Sequence, residues 1–248
     1  MIVTADDVGL HRGMTEGAIR AHREGIVTAC SVVANGVAFD DAVSRLRDTP
    51  TLEVGVHLTL VEERPLTAMR FPKKYTTFAP LYAARLISMR AIESELRAQI
   101  ERVLATGLRV THLNGHQHLH LLPRLFCLVA RLAHEYDIPY VRIVDDHGGA
   151  QRALSMRVLS ALGRRARAPF TNTRTIGVAN AGHLRDIVAL LDHVDGVTEL
   201  VTHPGVAVDG YGWGYAWDEE TRALCVPSLR DELARRGIEL TTPSLIRT

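Results

Sequence analysis

The stretch Arg109-Val110-Thr111-His112-Leu113-Asn114-Gly115-His116-Gln117-His118-Leu119-His120 (RVTHLNGHQHLH) decides how the whole chain is read. It begins as a short β-branched run and ends in a glycine followed by clustered histidines. On either side, residues 92–106 and 124–136 repeat apolar side chains three or four apart with charges opposite, the period of a surface helix. A strand set between two such helices is the repeating unit of a parallel α/β sheet. In that architecture the loops after the strands form the functional face, so polar residues past a strand's carboxyl end carry weight.

Outward from this unit the same alternation recurs. Strand-like runs fall at residues 2–4, 27–33, 52–60, 109–113, 140–144, 173–178 and 198–202, with 238–240 as a further candidate. Helical periodicity marks residues 15–24, 39–47, 92–106, 124–136, 153–165, 183–194 and 219–236. About seven strand–helix units in this length favour a closed or nearly closed β/α barrel over an open doubly wound sheet. No repeat or Pro/Gly/Ser linker divides the chain, so residues 1–248 are expected to form a single domain. Residues 61–86, with Pro65, Pro72 and Pro80, read as a long inserted loop at the rim.

Composition narrows the function. Twenty-nine Lys and Arg against 28 Asp and Glu give a net charge of +1, which offers no global field for nucleic acid or an anionic membrane. Cys30, Cys127 and Cys225 are widely spaced among apolar neighbours and read as reduced structural thiols. The amino terminus lacks an export signature and no segment is long and apolar enough to span a bilayer, so the expected address is the cytoplasm.

Titratable residues gather at the carboxyl ends of five strands: Asp6-Asp7, His57, the histidine cluster, Arg142 and His203. Adjacent carboxylates at Asp6 and Asp7 repel, and the repulsion is relieved if one binds a cation and the other takes a proton or an arginine. A helix cap or turn would use aspartate there equally well. Period-two alternation sends His112, Asn114, His116, His118 and His120 to one side while extension lasts, and Gly115 argues that it does not last throughout. A catalytic zinc-type site needs three protein ligands and an open position; one histidine of this cluster, His57 and one aspartate would complete it. His118 and His120 are then supporting or substrate-facing groups. His203, before Pro204-Gly205, could protonate a leaving amine or merely cap its turn. The run from Tyr211 to Trp217 carries aromatics that suit stacking on a sugar face, Trp213 and Tyr215 among them, or packing on the barrel end.

Taken in order, Ile2-Val3-Thr4-Ala5-Asp6-Asp7-Val8-Gly9-Leu10, Gly25-Ile26-Val27-Thr28, Gly55-Val56-His57-Leu58, Thr111 to His120 and His203-Pro204-Gly205 resemble the YdjC-like carbohydrate deacetylases, the family that includes chitooligosaccharide deacetylase. The resemblance implies a seven-stranded, distorted β/α barrel that hydrolyses an N-acetyl group from an amino sugar with one divalent metal ion, magnesium or zinc. Carried over by position, it implies Asp7, His57 and His116 as metal ligands and Asp6 as general base. It further implies His203 as the acid and Arg142 as the arginine near the base. The family commonly has aspartate where this chain has Asn114, although some members associated with hopanoid biosynthesis clusters have asparagine. That departure bears on substrate more than on chemistry, and Asn114, His118, Trp213 and Tyr215 are the expected substrate-binding residues.

The partners implied are a small N-acetylated amino-sugar substrate and, as an open option, a second copy in a homodimer. Two rival readings stand beside this one. The first is another metal-dependent amidohydrolase or phosphoesterase on a barrel, for which two metals per site would be expected. The second is a non-catalytic sugar-binding relative, which would have little use for a free base at Asp6.

Overall fold

A computed structural model describes residues 1–144, 158, 159, 161 and 168–246. Its strands are β1 Ile2–Val8, β2 Ala29–Val32, β3 Glu53–Leu58, β4 Val110–Gly115, β5 Tyr140–Val141, β6 Arg174–Ile176 and β7 Thr198–Thr202. The helices are α1 Arg12–Arg23, α2 Phe39–Arg47, α3 Tyr75–Ala83, α4 Met89–Leu104, α5 Leu125–Glu135, α6 Trp217–Leu224 and α7 Ser228–Arg235. All seven strands join one sheet in the order β5-β4-β3-β2-β1-β7-β6, and every pairing is parallel. The sheet curls into a half-barrel with the helices packed outside. Parallel strands covered on both faces are buried along their whole length, as β1, β2, β4 and β7 are here.

The two edge strands approach one another without a backbone ladder between them. Val141 N–H donates to the Phe170 carbonyl at 2.9 Å. Asn172 and Thr175 add the rest: Asn172 Oδ1 accepts from Ile143 N–H at 2.7 Å, its Nδ2 donates to the Ile143 carbonyl at 2.7 Å, and the Thr175 hydroxyl donates to the same carbonyl at 2.5 Å. One side-chain amide thus takes the place that a neighbouring peptide would occupy in a continuous barrel. This is the physical form of the distortion.

Glycine at position 55 is required by packing across the sheet. Gly55 pairs with His112 in register, and a Cβ on Gly55 would lie 2.4 Å from the His112 ring. The imidazole fills the space that any side chain there would need.

Several local expectations change. The rim segment 61–86 is not all loop, since Tyr75–Ala83 forms α3. Residues 219–236 are two helices, because Pro227 has no N–H to continue the ladder from α6. Residues 183–194 contain a 3₁₀ turn, Val188–His193, and no α-helix. Residues 238–240 form no strand; instead Thr241 N–H donates to the Met1 carbonyl at 2.9 Å beside the start of β1. The helix expected at 153–165 falls almost wholly outside the described residues. Among the described residues no helix is long and apolar enough to cross a membrane.

Candidate metal centre and active site

Adjacent residues on a regular strand point to opposite faces, yet both Asp6 and Asp7 lie buried at the same site. The reason is local. The register of β1 on β2 shifts between Ala5 and Val8, and Asp7 adopts a left-handed φ of 65°. A bulge of this kind re-aims a side chain, and left-handed backbone on a non-glycine residue is strain of the sort that collects at functional sites. The outcome is that Asp6 turns into the half-barrel and Asp7 turns toward its mouth.

Two elements bring imidazoles to Asp7. His57 Nε2, on β3, lies 3.3 Å from Asp7 Oδ1. His116 Nδ1, immediately after β4, lies 3.1 Å from the same oxygen. Asp7, His57 and His116 each present one donor atom within 4.8 Å of the others, and they form the one such cluster among the described residues. The nitrogens turned away from this point are both held. His57 Nδ1 lies 2.7 Å from Asn114 Oδ1 and 3.1 Å from Ser31 Oγ, while His116 Nε2 lies 3.0 Å from a Glu62 carboxylate oxygen. Each imidazole can therefore give its proton outward and leave a lone pair facing Asp7, which fits a divalent ion.

Electrostatics agree with that fit. Burial works against charge on both Asp7 and His116, but their mutual attraction wins. Asp7 is held well below the usual carboxylate range, and His116, faced by Asp7 and Glu62, is raised to about 10. A cation is thus already stabilised at this point, in the form of a proton.

Asp6 sits one layer deeper. Its Oδ1 accepts from Ser31 Oγ at 2.8 Å, Asn114 Nδ2 at 3.0 Å and the Arg142 guanidinium at 2.9 Å. Its Oδ2 accepts from Arg142 alone, at 2.5 Å. Arg142, fully buried, also donates twice to Glu199 Oε1, at 2.9 and 2.7 Å. Thr4 and Tyr140 hydroxyls complete the Glu199 shell at 2.6 and 2.7 Å. Burial resists ionisation of Asp6, and the attraction of Arg142 and His57 overcomes it, keeping the carboxyl ionised and fixed in orientation.

The mouth is a cavity of about 280 Å³ lined by Asp6, Asp7, His57, His116, His118, His203, Trp213 and Tyr215, among others. His203 Nε2 lies 3.9 Å from Asp7 Oδ2, and its ring meets Tyr215 edge-on at 5.5 Å. Trp213 lies 5.5 Å from the His116 ring. The alternation expected of the histidines stops at Gly115: residues His116–Leu121 turn through a kink, with Gln117 and His118 in the left-handed region at φ 52° and 55°. His118 consequently lines the cavity, while His120 packs inward and pairs with the Arg142 carbonyl at 3.0 Å. His112 is buried beneath, away from the mouth.

The structure thus brings the expected residues together, and places Asn114 differently from its expected role. Asn114 is fully buried between His57, Ser31 and Asp6, where it orients side chains and does not line the cavity. Three participants escaped the sequence reading: Ser31, Glu62 and Glu199. Glu199 carried a signal, since a lone carboxylate within an apolar parallel strand demands a buried partner; Ser31 and Glu62 carried none.

A family model described as YdjC-like protein matches residues 1–235. The chain is 30% identical over 250 residues to a carbohydrate deacetylase of Brevibacillus brevis, covering 98% of this chain and 97% of that one. It is 32% identical over 261 residues to a chitooligosaccharide deacetylase of Yersinia pestis, covering 97% and 96% respectively. Among solved structures it is similar to a candidate cellobiose-phosphate cleavage protein of Enterococcus faecalis V583. That match has a TM-score of 0.79 at 24% identity and covers 98% of this chain and 96% of that one.

Proposed function

The chain belongs to the YdjC-like protein family, and from that premise we propose that it is a metal-dependent hydrolase removing the N-acetyl group from an amino sugar or an amino-sugar conjugate. The observation that carries this reading is the convergence of Asp7, His57 and His116 on one point, beside an ionised Asp6 in an aromatic-lined cavity. The names of the relatives point to the same substrate class.

Asp7, His57 and His116 would hold one divalent ion. Two imidazoles and a carboxylate suit zinc or a similar ion better than magnesium, which favours all-oxygen surroundings. Such an ion supplies Lewis acidity, polarising the amide carbonyl and acidifying the attacking water. The remaining chemistry falls to the chain's own side chains. Asp6 takes the water's proton, and Oδ2 is the oxygen for this task because Oδ1 already accepts from three donors. Arg142 and Asn114 fix the direction of the carboxylate. His203, across the cavity, protonates the departing amine. Trp213 and Tyr215 line the cavity and would border the bound sugar. The products are acetate and a free amino sugar.

A two-metal amidohydrolase is disfavoured by the presence of one ligand cluster among the described residues. The test is acetate release from a panel of N-acetylated amino sugars with zinc, cobalt, manganese or magnesium added. Release with one equivalent of metal supports the reading; no release from any substrate with any metal contradicts it.

A further inference from the structure

The rim segment does more than border the cavity, because it delivers Glu62 to His116. Glu62 follows β3 and has a left-handed φ of 70°, and its backbone N–H donates to the Lys73 carbonyl at 2.9 Å. The loop between is strapped to α4: Leu66 N–H, Thr67 N–H and Thr67 Oγ1 all donate to the buried Glu95 carboxylate, at 2.9, 2.9 and 2.7 Å. Glu62 Oε2 then lies 3.0 Å from His116 Nε2, and Glu62 Oε1 accepts from Gln117 Nε2 at 3.4 Å. The loop encloses its own cavity of about 610 Å³, walled in part by Glu62 and Glu63.

We infer that Glu62 is a positioning residue for His116: by accepting the Nε2 proton it fixes ring orientation and keeps that proton on Nε2 when an ion takes Nδ1. This rests on the reading that Asp7, His57 and His116 form a metal site. The two imidazoles are handled oppositely. His57 presents Nε2 and is held at Nδ1 by a neutral amide from the sheet. His116 presents Nδ1 and is held at Nε2 by a carboxylate from the rim loop. A carboxylate partner strengthens an imidazole as a ligand, and losing such a partner commonly weakens metal affinity about 10- to 100-fold. Because its carboxylate arrives on a loop, the His116 half of the site depends on rim conformation, and the His57 half does not.

The experiment is zinc and cobalt binding to purified protein stripped with chelator, by competition with a chromophoric chelator, alongside the visible spectrum of the cobalt form. Thermal unfolding in excess chelator monitors the fold. Glu62→Ala should weaken binding about 10- to 100-fold and alter the cobalt spectrum, with the chelated protein's melting unchanged; Glu62→Asp should recover part of the loss. Glu63→Gln, which removes a neighbouring charge with no bond to His116, should stay within about threefold. Wild-type affinity and spectrum in Glu62→Ala, or an equal loss in Glu63→Gln, overturns the inference alone. Failure of the wild-type protein to bind either ion overturns the metal-site reading and the inference with it.

Discussion

His57 Nδ1 lies 2.7 Å from Asn114 Oδ1, and the same amide, through Nδ2, lies 3.0 Å from Asp6 Oδ1. One buried side chain therefore orients the proposed ligand His57 and the proposed base Asp6 at once. Its amide polarity is fixed by both: the oxygen must face the imidazole N–H and the nitrogen must face the carboxylate. Asn114→Ala should weaken metal binding about 10-fold or more and destabilise the protein by about 1–3 kcal/mol through unmet buried groups. Metal titration and denaturant unfolding of the same variant check both. An effect on stability without one on affinity would leave Asn114 a packing residue.

Arg142 bridges Asp6 and Glu199, one cation shared by two carboxylates within a fully buried network. Removing a single partner from such a network leaves uncompensated charge, which costs about 3–5 kcal/mol. Arg142→Met should lose stability of that order in urea unfolding, and Glu199→Gln should lose less because Arg142 keeps Asp6.

Acid should weaken the fold before the carboxylates titrate. Burial lowers His112 to about 4 and His120 to about 3, and pushes His118 down as well. Between the unfolded value of ~6.5 and these folded values, the unfolded chain binds protons that the native protein refuses. Their stabilising share is complete above ~pH 6.5 and falls with pH by about 1.4 kcal/mol per unit for each histidine. Urea midpoints measured from pH 7 to 4.5 should decline, and His112→Asn should flatten the decline.

Metal binding should expel a proton. His116, raised to about 10 by Asp7 and Glu62 against its burial, holds a proton at neutral pH that ligation at Nδ1 must displace. Calorimetry in buffers of different ionisation enthalpy should report about one proton released per ion near pH 8. Apparent affinity should rise about tenfold per pH unit up to ~10. Proton-neutral binding would place the ion elsewhere.

The fold was largely legible because strands buried on both faces are short apolar runs, and Val54-Gly55-Val56 or Leu200-Val201 are read as such without ambiguity. The residues of the candidate metal cluster were legible because they sit at strand ends. Less was legible where meaning depends on backbone direction or distant partners. Asp7 turns beside Asp6 only because of its φ of 65°. Glu62, in a charged proline-containing loop, resembles any solvated carboxylate until the loop is strapped to Glu95. Glu199 becomes intelligible only with Arg142, from another strand. Asn114 was expected to bind substrate, and the sequence carries no sign that Ser31 and Asp6 close over it.

The most direct test is acetate release by metal-loaded Asp6→Asn beside the wild-type protein on a responsive N-acetylated amino sugar, with metal content measured on both. The account predicts equal metal content and a turnover lower by about 10²-fold or more, the usual worth of a general base. Equal turnover at equal metal content would remove Asp6 from the chemistry and contradict the proposed mechanism.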